Sequence, residues 1–278
     1  MLGSRSRRIR TAVSAALAVA AVASMSVLGQ GTASASPLPS SWKLKFNSNF
    51  SATSVKGKVK PTVWATCYPV ATPKGCTNYS AAGAEQEWYQ PSQVAVSGGV
   101  LHLTARHVAT PGYNSAGKPK TYECRSGMVT TYPSFKFEYG FVQVKARLPY
   151  GKGLWPAFWL AAANNKWPPE IDILEHWGDA TISKLYLHPL TGPRQGAQYS
   201  APTADSGWHT WWLSWTKNRL TWYYDGREVY TTTKDVPHQA MYFIANLADT
   251  TNSAAMTNVK GTACTGTLLI QSIKIWQP

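Results

Sequence analysis

Hydrophobic and polar residues alternate with a period of two along most of this chain. Residues 100–106, VLHLTAR, follow a short apolar stretch at 94–96 and the pair Gly98-Gly99. That pattern predicts a half-buried strand entered through a tight turn. Residues 135–149, FKFEYGFVQVKARLP, alternate over a longer span with one glycine interruption. Residues 219–233, RLTWYYDGREVYTTT, place Asp225-Gly226 between two β-rich runs, the signal of a two-residue hairpin turn. Residues 240–248, AMYFIANLA, are almost continuously apolar and predict a strand buried on both faces, and 268–277, LLIQSIKIWQ, predict a closing strand. Few windows keep a helical period beyond one turn. The sum is an all-β chain folded as an antiparallel sandwich.

The first 35 residues break this pattern. Arg5, Arg7, Arg8 and Arg10 precede an Ala/Val/Leu-rich run at 11–28, and Ala33-Ser34-Ala35 follow. This is the layout of a secretory signal cleaved after Ala35. A membrane anchor is the competing reading, but Ala-rich runs insert weakly and the small-residue cleavage site is present. The Arg7-Arg8 pair leaves twin-arginine export open beside the general route. The expected organisation is a signal peptide at 1–35 and one catalytic-size domain at 36–278, with no repeat and no low-complexity linker inside it.

Composition adds a charge and a compartment. The leader holds four of the 27 basic residues and no acid, so the remainder carries 23 basic against 13 acidic residues, a net +10. Such a surface favours polyanions, although solubility alone would also explain it. The basic residues are scattered, with small clusters only at 56–60 and 118–120, and nothing resembles a nucleic-acid module. Cys67, Cys76, Cys124 and Cys264 lack the CxxC spacing of a zinc site. In an exported chain two disulfides are expected, Cys67 with Cys76 across a Pro/Gly loop and Cys124 with Cys264, although the sequence permits three pairings. The 13 tryptophans and 14 tyrosines must largely pack the core, yet flat apolar rings also stack on the C–H faces of sugars.

One stretch concentrates chemistry. PPEIDILEHWG carries Glu170, Asp172 and Glu175 among isoleucine, leucine and tryptophan, in a chain with only 13 acids. As a regular strand it would put Glu170 and Asp172 on one face and Glu175 on the other. One extra residue, a bulge near Ile173-Leu174, returns Glu175 to the face of the other two. Three crowded carboxyls cannot all ionise cheaply, so their protonation states divide into a nucleophile and a proton donor. That division is what glycosidic cleavage requires. A Ca²⁺ site and a salt-bridged structural cluster are the competing readings. The apolar Ile171, Ile173 and Leu174 argue strand rather than calcium loop, and the nearest cations, Lys166 and Lys184, stand well outside the cluster.

The motif and its surroundings resemble glycoside hydrolase family 16, in the bulged E-x-D-x-x-E branch that includes laminarinases. EQEWYQPSQVAVSGGVLHLTA, the run from SGMVTT to FEYGFVQVKARLPYGKGLWPAFWL, GWHTWWLSWTKNRLTWYYDG, MYFIANLA and LLIQSIKIWQ look like family segments in family order. The likeness covers about residue 41 to the end. It implies a β-jelly roll of two antiparallel sheets whose concave face forms an open substrate cleft. It implies Glu170 as nucleophile, Glu175 as general acid/base and Asp172 assisting between them. It implies Trp155, Trp159 and Trp177 beside the acids, His188 near the leaving group, and Asn246 facing the cleft. Departures occur at Ser214, which stands where the family often has the Glu of Glu-Trp, in ADTTNSAAM, and in CTNYSAAGAEQEWY, which lacks an Asn-Asn lead; they are expected near the cleft rim and bear on substrate identity. IDILE in place of the frequent IDIME changes only a residue of similar volume.

The resulting expectation is a secreted, monomeric, retaining endo-glycosidase acting on β-1,3-glucan or mixed β-1,3/1,4-glucan. It requires no cofactor and no catalytic metal, while a structural Ca²⁺ stays open. Its partner is a polysaccharide, with no nucleic acid and, once the leader is cut, no membrane. Within the class, an acidic or galactose-based polysaccharide is the alternative substrate, and a cell-wall transglycosylase the alternative reaction. Outside it stands a glycan-binding sandwich, which would be expected to lose the acids.

Overall fold

The computed structural model describes residues 37–69, 85–114, 117–151, 153–178, 181–250 and 264–278. The leader, Cys76 and most of the two loop departures at 76–89 and 248–256 lie outside the described residues. Eighteen strands are described. They run β1 Lys43–Ser48, β2 Ser54–Val55, β3 Lys58–Val59, β4 Glu87–Tyr89, β5 Val94–Ser97 and β6 Val100–Tyr113. Next come β7 Pro119–Ser126, β8 Met128–Thr130, β9 Gly140–Arg147, β10 Leu154–Ala162, β11 Glu170–Glu175 and β12 Ile182–His188. The last are β13 Gln195–Ser200, β14 His209–Thr216, β15 Arg219–Tyr224, β16 Arg227–Thr232, β17 Met241–Asp249 and β18 Gly266–Gln277. No helix among the described residues is long and apolar enough to cross a membrane.

These strands form a larger sheet in the order β16-β15-β14-β9-β18-β6-β7-β4, with β1 and β5 attached, and a smaller sheet in the order β13-β12-β11-β10-β17-β8. Pairing is antiparallel throughout, except that β4 runs parallel to β7, Glu87 opposite Cys124. The chain therefore departs at one edge from the fully antiparallel sandwich the patterning predicts. The main core lies between the sheets. Leu101, Val142, Trp211 and Ile273 of the larger sheet meet Phe158, Ile171, Leu187 and Phe243 of the smaller one, all buried. A second, smaller cluster of Tyr68, Tyr89, Met128, Ala157, Trp159, Ala161, Tyr242 and Ile244 covers the other face of the smaller sheet. That explains why every residue of β17 is buried, as its unbroken apolar run predicts.

The turn chemistry behaves as expected. Tyr224 pairs with Arg227, and the intervening Asp225 and Gly226 both have positive φ, 47° and 80°, the requirement of a type I′ hairpin. The stretch at 135–149 is shorter than its alternation suggests. Tyr139 takes φ 59° and ends the extended run, so β9 begins only at Gly140. Gly140 lies so close to the backbone of Trp276 that a Cβ there would come within 2.8 Å of the carbonyl oxygen. Ser214 is not at a cleft rim. It sits on β14 of the larger sheet, between core-facing Leu213 and Trp215, and alternation turns it away from the core and from the smaller sheet. The Cys124–Cys264 disulfide forms, joining β7 to Cys264, two residues ahead of β18, across 140 residues with Cα atoms 5.9 Å apart.

Candidate active site

Three acids reach one face of the smaller sheet because β11 carries an extra residue. Against β10, Glu170 pairs with Ala161, Asp172 with Trp159, Leu174 with Phe158 and Glu175 with Ala157, the register slipping by one within Asp172–Leu174. Against β12 the same slip occurs between Asp172 and Glu175. Ala157, Trp159 and Ala161 are alternate residues of β10, so all three acids share their face. The bulge stands at Ile173-Leu174, where the broken alternation places it, and both of these side chains enter the main core. The backbone carbonyl of Asp172, where the bulge opens, accepts a hydrogen bond of 2.9 Å from the indole N–H of Trp222 on the opposite sheet. Trp222 thus reaches through the core to hold the bulge, a role that alternation alone does not reveal.

The acids are crowded and largely dry. Asp172 is only 3% exposed, while Glu170 and Glu175 are half-buried. Burial pushes the Glu175 carboxyl up to about 7, opposed by the positive charges of His188, Lys184 and Arg194. Burial first and Asp172 second push Glu170 well above the ordinary carboxylate range; His188 and a hydrogen bond from Trp167 pull it back. Asp172 rises through burial and the neighbouring Glu175, with Arg194 opposing. The site therefore cannot carry three negative charges at neutral pH. His188 Nε2 stands 3.6 Å from Glu170 Oε1 and 3.5 Å from Asp172 Oδ2, within reach of both. The donor atoms of Glu170, Asp172 and His188 lie within 4.8 Å of one another, close enough to share a divalent cation.

The aromatic residues divide by accessibility. Trp155 and Trp177 meet edge to face at 5.7 Å, both half-buried, with the Lys184 ammonium 3.4 Å above the Trp177 ring. Trp159 is 7% exposed and donates its indole N–H to Asn246 Oδ1 at 2.8 Å. Asn246 in turn donates to the Tyr89 hydroxyl at 2.9 Å, and Tyr89 to Glu85 Oε1 at 3.2 Å. Trp159 and Asn246 thus form a hydrogen-bonded floor below the acids rather than an open stacking face. Trp167 has the opposite character. It is 56% exposed, three residues ahead of Glu170, with its ring 5.7 Å from His188. Its open indole face could have been noticed from its place beside the acid motif. Tyr186 and Arg194, which also border the acids, are visible only once β12 and β13 are in register.

The chain is similar to known proteins in sequence and in fold. A family profile described as "Glycosyl hydrolases family 16" matches residues 83–263. An endo-1,3-1,4-beta-glycanase of Rhizobium meliloti (strain 1021), ExsH, is 35% identical over 202 residues, covering 67% of this chain and 42% of that protein. A second one from the same organism, EglC, is 32% identical over 201 residues with the same coverage. The chain thus spans about two fifths of the length of these relatives. Among solved structures, a LamA variant from Z. galactanivorans in complex with laminaritriose and laminaritetraose superposes with a TM-score of 0.70 at 25% identity, covering 84% of this chain and 99% of that one.

Proposed function

The chain belongs to glycosyl hydrolase family 16, and from that premise we propose that it is a secreted endo-glycosidase that cleaves internal β-linkages of a polysaccharide with retention. The observation that carries the reading is the β11 bulge, which sets Glu170, Asp172 and Glu175 on one face and holds the Glu175 carboxyl up near 7. In this mechanism the Glu170 carboxylate attacks the anomeric carbon. Glu175, still protonated near neutral pH, gives its proton to the leaving oxygen as that bond breaks. The product is a glycosyl ester on Glu170 and a free sugar end. Glu175, now ionised, then takes a proton from water as the water attacks the anomeric carbon, and Glu170 leaves. Asp172 and His188 sit between the two roles, where they tune the charge on Glu170.

The relatives' names give 1,3 and 1,4 β-linkages, and on that basis β-1,3-glucan or mixed β-1,3/1,4-glucan is the substrate we assign. Trp167, Trp155 and Trp177 offer rings on which sugars of any such chain can stack. Export through the 1–35 leader fits the Cys124–Cys264 disulfide, a bond that persists in oxidising compartments. The test is a panel of soluble polysaccharides: β-1,3-glucan, mixed-linkage glucan, agarose oligomers and acidic chains, scored for product length and for anomer by proton NMR. Early internal fragments from a β-glucan, formed first as the β-anomer, support the reading. Products longer than a short donor would mark transglycosylation, and no reducing ends from any chain would leave only a glycan-binding sandwich.

A further inference from the structure

The β12–β13 side of the acids is basic, and it opens into a second groove. Asp172 pairs with Tyr186 on β12, and Tyr186 pairs with Gly196 on β13. The edge of the Tyr186 ring packs against Gly196; a Cβ there would come within 2.5 Å of its Cδ1. The Arg194 guanidinium stacks on that ring, 4.3 Å from its centroid. Leu187 pairs with Gln195, so continuing the register sets Arg194 beside His188, the neighbour of Glu170. Its charge reaches both Asp172 and Glu175.

Beyond Arg194 the surface falls into a groove of about 750 Å³, lined by Arg194, Gln195, Arg219, Tyr230, Lys234 and Asp235 among others. It follows the seam where β13, an edge of the smaller sheet, meets β16, an edge of the larger one. The seam is tied. Thr232 Oγ1 donates to Gln195 Oε1 at 2.7 Å, and Gln195 Nε2 donates to Asp235 Oδ2 at 3.0 Å. Asp235, the one acid in that lining, accepts this bond from a neutral amide and keeps its charge. Arg194, Arg219 and Lys234 have no carboxylate within ion-pair distance among the described residues. Three cations against one acid leave this tied groove net positive, and Arg194 belongs both to it and to the surroundings of the acids, an arrangement that favours negative charge.

We propose that this groove binds a carboxylate-bearing substituent of the polysaccharide, with Arg194 reading the charge at its mouth and Arg219 and Lys234 extending the site. The inference rests on the endo-glycosidase reading and narrows its substrate to chains that carry acidic groups on the β12–β13 side of the scissile bond.

The experiment compares a neutral β-1,3-glucan with the same glucan carrying sparse carboxymethyl groups. It measures kcat/KM on each, and retardation of the protein in native gels containing each. The wild type is expected to favour the carboxymethyl glucan by about tenfold at low salt, a preference that shrinks as ionic strength rises. Arg194→Gln is expected to lose about ten times more kcat/KM on the charged chain than on the neutral one, the loss of one charge-assisted contact. Arg219→Gln and Lys234→Gln, at exposed positions away from the acids, are expected to weaken retardation by the charged gel. Equal losses on both glucans, or retardation unaltered in all three variants, would overturn the proposal. Cleavage of neither glucan, with charge-dependent retardation intact, would overturn the enzymatic reading and leave the groove standing.

Discussion

At the scale of single residues, the decisive quantity is where each carboxyl keeps its proton. Glu175 is held up near 7 by burial, and Glu170 is held above the usual range by burial and Asp172. Catalysis on the proposed route needs Glu170 ionised and Glu175 protonated. The pH profile of kcat/KM should therefore be a bell. Its alkaline limb should fall near 7, and its acid limb should lie above the ordinary carboxylate range, both belonging to the coupled set. The same shift bears on stability. Folded Glu175 binds its proton more tightly than an unfolded carboxyl at about 4.5, so the stabilisation is complete below 4.5 and is lost as pH rises through 7. Glu175→Gln removes that loss. It should raise Tm at pH 8 by about 2–6 °C and change it little at pH 4.5, while activity collapses. A thermal melt at the two pH values checks this; equal shifts at both would point to packing instead of charge.

At the scale of the element, β11 works because one residue is out of register. The bulge was legible in the sequence, because three acids spaced 170, 172 and 175 cannot share a strand face without it. The hairpin at Asp225-Gly226 and the buried β17 were legible for the same local reasons. Trp222, Tyr186 and Arg194 were not, since each acquires its role through pairing with strands distant in sequence, and alternation says nothing about which strands become neighbours. The family resemblance put Trp159 beside the acids and Asn246 on the cleft face separately, and nothing in the sequence made them each other's hydrogen-bond partners. Trp222 offers the sharpest test at this scale, because its indole N–H holds the Asp172 carbonyl at the mouth of the bulge. Trp222→Phe keeps an aromatic ring and deletes the donor. It should cost about 1–3 kcal/mol of stability for the orphaned carbonyl. It should also lower kcat about tenfold with KM little changed, as the acids lose their alignment. Denaturant melts and steady-state kinetics on one variant read both; a stability loss with full kcat would make Trp222 a packing residue only.

At the scale of the whole molecule, the sandwich spends one face of its smaller sheet on chemistry and the other on the core. The floor of Trp159, Asn246, Tyr89 and Glu85 is the visible consequence, a buried polar chain on a face that would otherwise be apolar. Cys124–Cys264 closes a 140-residue span that includes β8 to β17, and so contains all six strands of the smaller sheet. A double Cys124→Ser, Cys264→Ser variant should lose about 2–4 kcal/mol, seen as a Tm drop of about 5–15 °C, with kcat at low temperature nearly unchanged. A large loss of activity without loss of Tm would mean the bond shapes the site.

Azide separates Glu170 as the attacking group from Glu175 as the proton donor. Glu170→Ala and Glu175→Ala are each incubated with an activated β-glucoside donor and sodium azide, and the products are read by NMR. Azide is expected to rescue both, giving the α-glycosyl azide with Glu170→Ala and the β-glycosyl azide with Glu175→Ala. The reverse pairing of variant and product, or full hydrolysis by Glu170→Ala without azide, would contradict these roles.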